Sequence, residues 1–230
     1  MTEKFDLMVI APHPDDPEFG IGGTVAQWTK EGKRVVYLIC TNGNKGTDDP
    51  AITPAQLAEI RRAEQMDAAR SLGVSDVVFL DHDDQSIEDT PEFRKELVKM
   101  IRTYKPDVVA APDPYRKYLW HRDHRITGQV VLDAVYPFAR DRLSYPDLIQ
   151  DGYQPHKVKE LLFWGAEQPN HFSDITATFV NKISALKCHQ SQVSHFPSGW
   201  EEAYRNVLSN YGKDHGYDVA ETFYRVVLPP

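Results

Sequence analysis

Pro12, His13, Pro14, Asp15 and Asp16 set one imidazole beside two adjacent carboxylates, with Glu18 following closely. Side chains of these types hold divalent cations or move protons. Far downstream, His121 and His124 flank Asp123, with Arg122 and Arg125 alongside. At the start of a helix, that spacing puts both rings on one face. A His-x-x-His pair alone is a weak signal and equally describes polar residues at a helix start. Joined to His13 and Asp16 it gains weight, because two imidazoles, a carboxylate and a water form a catalytic zinc set. Neighbouring side chains in an extended turn point apart, so one aspartate of the Asp15–Asp16 pair could hold metal while the other faces substrate. The metal would lower the pKa of a water, and the free carboxylate would accept its proton during attack on a carbonyl. The charge that develops needs a cationic donor. The histidine of the 121/124 pair that does not bind metal could supply it or protonate a departing amine. Asp123 could orient an imidazole through its other N–H.

The elements around these residues must bring them together. Residues 5–11 (FDLMVIA) form a short apolar run of the kind a buried strand needs, and 34–41, 76–80 and 107–111 read the same way. Helical spacing predicts helices over 20–31, 53–72, 90–104 and 121–136, two of them opened by Thr-Pro at 53–54 and 90–91. Alternating strands and helices, with strands apolar throughout, predict an α/β fold. The expected form is a Rossmann-like three-layer sandwich, a mostly parallel sheet with helices on both faces. Segments 11–18, 40–49, 80–86 and 111–124 then emerge at one sheet edge, where such folds place their chemistry. Beyond about 137 the pattern loosens: a strand at 157–165, helices at 174–191 and 200–211, and an edge strand or wrapping segment at the end. We read one domain over 1–230, with a core of about 1–136 and a C-terminal elaboration of about 137–230.

Bulk properties narrow the function classes. A net charge of −8 argues against general nucleic-acid binding. The sequence has no apolar stretch near the roughly 20 residues of a membrane span, and the N-terminal residues do not read as a signal peptide. Two cysteines, Cys40 and Cys188, are too few to read as a disulfide framework and point to the cytoplasm.

With these motifs in view, the chain resembles the LmbE-like or PIG-L-like zinc-dependent N-acetylglucosaminyl deacetylases, which include enzymes of the bacillithiol and mycothiol pathways. The family's His-Pro-Asp-Asp segment matches 13–16 and its His-x-Asp-His segment matches 121–124. The resemblance implies metal ligation by His13, Asp16 and His124, with Asp15 as general base. It implies that His121 is the non-ligand histidine near the reacting carbonyl and that Asp123 orients a neighbouring histidine. Residues 60–74 resemble the family's Arg-x-x-Glu-x-x-x-Ala-x-x-x-Leu-Gly helix, which implies Arg62 near the sugar. Its alternative is a surface pairing with Glu59 or Glu64. Residues 182–192 and 220–226 resemble the closing segments, with His189 expected as a packed or supporting residue rather than a fourth ligand. Two positions depart: Arg122 stands where proline is common, and Asn44 where relatives often carry glutamate.

The resemblance implies an enzyme with Zn2+ or another divalent transition metal, acting on linear amides. It would remove an N-acetyl group from a small polar amino sugar of the N-acetylglucosamine type. A sugar-thiol conjugate amidase is the alternative, and a non-enzymatic sugar- or nucleotide-binding protein is disfavoured. No nucleic-acid or membrane partner is expected, and a homo-oligomer, trimer or hexamer, is implied by the resemblance. Gly20, Gly22 and Gly23 lie too far from the first strand for a dinucleotide loop and fit close packing instead. The acidic 81–84 segment offers further possible ligands, with a solvated strand-end loop as the favoured reading and a ligand-recognising rim as the functional one. Residues 45–50 are expected as a rim loop, the aromatic and basic 115–120 segment either lines the mouth or packs against the C-terminal part, and 195–200 could close over the pocket. His82, His156, His171 and His215 are assigned no role.

Overall fold

The computed structural model describes residues 4–230. The first three residues of the N-terminal stretch tested for a signal peptide therefore lie outside the described residues. In chain order the elements are β1 (Leu7–Ala11), α1 (Asp16–Lys30), β2 (Val35–Thr41), α2 (Pro54–Ser71), β3 (Asp76–His82), α3 (Pro91–Tyr104) and β4 (Val108–Pro112). There follow α4 (Arg122–Asp133), a π-helical turn (Ala134–Phe138), α5 (Pro146–Gln150), β5 (Glu160–Trp164) and β6 (His171–Asp174). The chain closes with α6 (Phe179–Leu186), α7 (Gln190–Val193), α8 (Trp200–Gly212), a 3-10 turn (Lys213–His215) and β7 (Ala220–Val227).

The strands form one seven-stranded sheet in the order β3-β2-β1-β4-β5-β7-β6. The pairings among β3, β2, β1, β4 and β5 are parallel, and β7 runs antiparallel to both β5 and β6. The expected α/β architecture with a mostly parallel sheet is thus present. Every residue of β1, β2 and β4 is buried, as apolar strands covered on both faces require. One face packs against α3, α4 and α5 through Met8, Leu38, Leu97, Ile101 and Val131. The other packs against α1, α2 and α6 through Val9, Ile21, Tyr37, Ala68 and Ala185.

Two features position the loops. From β1 the sheet order runs one way to β2 and the other way to β4, so the β1 and β4 loops diverge at a topological switch point. Second, α1 packs closely under the C-terminal elements. A Cβ at Gly20 would sit 2.6 Å from the Trp164 ring, and one at Gly23 2.7 Å from Ile175. Those glycines serve close approach, in line with the packing reading.

Several boundaries differ from expectation. The first helix begins at Asp16, not 20, which turns the extended segment after β1 into a tight corner. The expected 174–191 helix is two shorter helices, α6 and α7. Asp174 ends β6 and its carboxylate accepts the Thr176 N–H at 2.9 Å, so the helix starts only at Phe179. Non-helical torsions at His189 then separate α6 from α7. The expected edge strand β7 lies inside the sheet, because β6 pairs with its outer side. That short strand, His-Phe-Ser-Asp, has no apolar run to announce it.

Candidate active site

The site is assembled at the switch point from three sheet-edge loops and the starts of α1 and α4. His13 lies in the corner after β1. Its backbone N–H donates to Asp16 Oδ2 at 2.9 Å, and its Nδ1 faces the same oxygen at 3.2 Å. On the far side of the ring, Nε2 lies 3.1 Å from Asp123 Oδ2 and 3.0 Å from Asp84 Oδ1. Asp16 also reaches α4, where its Oδ1 is 3.3 Å from His124 Nε2. One carboxylate therefore bridges the first and last histidines, while two others back the first.

His121 is the N-cap of α4, and its Nδ1 accepts the Asp123 N–H at 3.3 Å. In the neutral ring, Nε2 then carries the proton. That nitrogen is 3.8 Å from Asp84 Oδ1, and the side chain is 40 % exposed, against 8 % for His13. His121 is thus the histidine most open to a ligand. Asp123 is fully buried and links both histidine segments, accepting also the Gln85 N–H at 2.8 Å.

Asp15 takes different partners from Asp16. It sits at φ 88°, a positive value few non-glycine residues adopt and one that costs roughly 1–3 kcal/mol. Its carboxylate meets Arg61 Nη2 at 3.3 Å, and its N–H donates to Gln65 Oε1 at 2.9 Å. Burial, aided by the Asp16 charge and opposed by Arg61, pushes the Asp15 carboxyl up to about 7. Burial also acts on Asp16, but the His124 and His13 imidazoles outweigh it and hold that carboxyl at about 2. Burial pushes His13 down, yet Asp123, Asp16 and Asp84 raise it overall. Burial lowers His124. The two adjacent aspartates thus occupy opposite electrostatic environments.

The donors fit a divalent cation. Ligand atoms of His13, His121 and His124 lie within 4.8 Å of one another, as do those of His13, Asp84, His121 and Asp123. Asp123 Oδ1 is buried without a hydrogen-bond partner. Three carboxylates around one imidazole leave an excess of negative charge, and mixed nitrogen and oxygen donors suit zinc, iron, cobalt or nickel.

Two further residues, Asp84 and Arg61, belong here. Asp84 lies inside the 81–84 segment, read as a solvated strand-end loop or a source of ligands, and is held there as Asn44 Oδ1 accepts its N–H at 3.1 Å and Lys45 Nζ donates to its carbonyl at 2.5 Å. Arg61, not Arg62, points inward. It donates to Pro14 O at 2.6 Å and to Gly43 O at 3.1 Å as well as to Asp15. Arg62 lies outward, over the Phe79 ring and paired with Asp81 rather than Glu59 or Glu64. Helical spacing carries the signal for this choice: Leu57, Arg61, Gln65 and Ala68 share the buried face. The Arg-x-x-Glu spacing onto Glu64 likewise ends on Arg61.

A cavity of about 520 Å³ opens onto Asp16 and His124. Asp113, Arg116, Trp164, Glu167, Tyr204 and Tyr211 are among its walls, so aromatic faces alternate with charged groups. The volume is in the usual range for a small-molecule site, roughly 300–1,000 Å³. Tyr115, Tyr118 and Trp120 of the expected rim are exposed rather than packed on the C-terminal part.

Comparison with known proteins gives concordant results. Residues 8–135 match the family described as PIG-L, GlcNAc-PI de-N-acetylase. The chain is 37% identical over 219 residues to the diacetylchitobiose deacetylase of Thermococcus kodakarensis, covering 94% of this chain and 80% of that protein. It is 30% identical over 180 residues to the mycothiol S-conjugate amidase of Streptomyces coelicolor, covering 69% of this chain and 61% of that one. Among solved structures, the N,N'-diacetylchitobiose deacetylase of Pyrococcus horikoshii superposes with a TM-score of 0.90 at 33% identity, covering 96% of this chain and 84% of that one.

Proposed function

Since the chain belongs to the PIG-L (GlcNAc-PI de-N-acetylase) family, we propose that it is a zinc-dependent deacetylase cleaving the linear amide of an N-acetylglucosamine-type sugar. The observation that carries this reading is the divided aspartate pair. Asp16 lies between His13 Nδ1 at 3.2 Å and His124 Nε2 at 3.3 Å, whereas Asp15 meets Arg61 Nη2 at 3.3 Å.

His13, Asp16 and His124 would hold the metal. His13 Nε2 is occupied by Asp123, which leaves Nδ1 on the side of Asp16, and Asp16 faces His124 Nε2. A bound divalent ion supplies Lewis acidity toward the attacking water and the amide carbonyl. Asp15 takes the proton from the water as the new C–O bond forms. Its carboxyl near 7 suits a base that must later return the proton. His121, with Nε2–H exposed toward the site, donates a hydrogen bond to the carbonyl oxygen as it gains charge. The C–N bond then breaks, the nitrogen is protonated through Asp15 or His121, and acetate and a free amino sugar leave. Asp123 fixes both rings, accepting from His13 and donating its N–H to His121.

The cavity beside Asp16 and His124 supplies room for sugar beyond the reacting amide, with Trp164 and Tyr211 as flat walls and Asp113, Arg116 and Glu167 for hydroxyl groups. The amidase relative motivates a second reading in which the same centre cleaves a sugar-thiol conjugate. Both described cysteines are free, and no described helix is long and apolar enough to cross a membrane; the free thiols support a cytoplasmic setting. Assay of the zinc-loaded protein against N-acetyl sugars and sugar-thiol amides tests both readings. Amine release from the sugars supports the first, release from the conjugates alone supports the second, and release from neither overturns both.

A further inference from the structure

Three buried side chains connect the C-terminal segment to the backbone of Asp15. His189, between α6 and α7, has its Nε2 3.0 Å from Glu18 Oε2. The Glu18 carboxylate accepts both contacts of Gln65 Nε2, at 3.0 and 3.2 Å. Gln65 then turns its other end to the corner, where Oε1 accepts the Asp15 N–H. His189, Glu18 and Gln65 each have no exposed surface. A second clamp runs in parallel. Lys182 Nζ donates to Glu18 O at 2.8 Å and Phe19 O at 2.7 Å and pairs with Glu221 at 2.6 Å.

These contacts converge on a residue whose backbone is unfavourable by itself. The Asp15 side chain makes no cap bond to the helix it precedes, so local capping does not hold φ at 88°. Gln65 Oε1 accepts the Asp15 N–H, beside the Arg61 contacts to Pro14 O and the Asp15 carboxylate, and Glu18, accepting from the Gln65 nitrogen, sets which way that amide faces. His189 in turn anchors Glu18. Its Nδ1 is buried without a hydrogen-bond partner, so Glu18 is the polar contact that orients the ring.

We infer that His189, acting through Glu18 and Gln65, is a positioning residue for Asp15, so that the C-terminal segment sets the aim of the proposed base. This inference rests on the reading of Asp15 as that base. No atom of His189 need touch substrate. Packing alone would make His189 a stability residue; positioning also makes it a rate residue.

The test compares His189→Leu, which removes the polar contact, with His189→Gln, whose amide can still donate to Glu18. Val98→Ala, in α3 on the opposite sheet face, serves as a destabilised control. His189→Leu is expected to lower kcat about 10- to 100-fold, the scale set by a displaced catalytic group. KM and bound metal should be unchanged. His189→Gln should restore most of the rate, and the control should keep wild-type kcat at a similarly lowered Tm. Crystal structures of the two variants give a readout independent of turnover: Asp15 leaves its positive φ in His189→Leu and keeps it in His189→Gln. Loss of rate that merely follows Tm, or an unmoved Asp15 in His189→Leu, overturns the inference. If wild-type protein hydrolyses no amino-sugar amide, the proposed function fails, and the Asp15 torsion alone decides the positioning claim.

Discussion

His13 Nε2 lies 3.1 Å from Asp123 Oδ2, joining two residues that are 110 positions apart in sequence. This contact fixes which nitrogen of His13 remains for a cation. It also ties the ring to α4, whose first turn carries His121 and His124. A carboxylate behind a metal-binding histidine orients the ring and raises its basicity.

Asp123→Asn should therefore weaken metal binding without removing a ligand. The expected loss is about 10- to 100-fold in affinity, measured by competition with a chromophoric chelator. An unchanged affinity would show that Asp123 does not act through His13.

His13→Ala should lose both metal and turnover, whereas His121→Ala should retain metal and lose turnover. The loss for His121 is expected at roughly 10²–10⁴-fold in kcat, the range for a positioned acid or base. Metal content by elemental analysis, beside kinetics, separates the two. Metal loss in His121→Ala would instead place His121 among the ligands, as its closeness to His13 and His124 permits.

Arg116→Ala and Tyr211→Ala alter cavity walls away from the proposed ligands. Both should raise KM for an N-acetylated disaccharide several-fold and leave the monosaccharide nearly unchanged, since only the second ring needs that space. Equal effects on the two substrates would remove the cavity from substrate binding.

His156 gives a pH signature distant from the site. Its Nε2 donates to Pro106 O at 2.7 Å, and burial holds its pKa below the ordinary 6.5. A histidine with a depressed folded pKa contributes stability above its unfolded value and loses it as pH falls through the folded value. The stability difference between wild type and His156→Gln should thus shift against wild type as pH drops below about 6.5. Chemical denaturation from pH 7.5 to 5 measures it; a constant difference would contradict the assignment.

Much of this arrangement is legible in the sequence because it depends on local rules. Apolar strands with helical spacers dictate a parallel sheet, and a parallel sheet brings the 12–16 and 121–124 segments to one edge. What escapes local reading depends on single torsions and on strand partners far along the chain. Which acid of the 81–84 segment turns inward follows from left-handed backbone at Asp81 and Gln85, φ 60° and 65°, neither of them glycine. The interior position of β7 depends on β6, whose four residues are too polar to read as a strand. Arg61 differs from these, because the periodicity of α2 and the Arg-x-x-Glu spacing onto Glu64 both carry it.

The most direct test of the account is acetate release from an N-acetylated amino sugar by zinc-loaded wild type and Asp15→Asn, with bound metal counted in both. The account requires equal metal and turnover reduced roughly 10²–10⁴-fold in the variant. Wild-type turnover in Asp15→Asn with metal in place would contradict it.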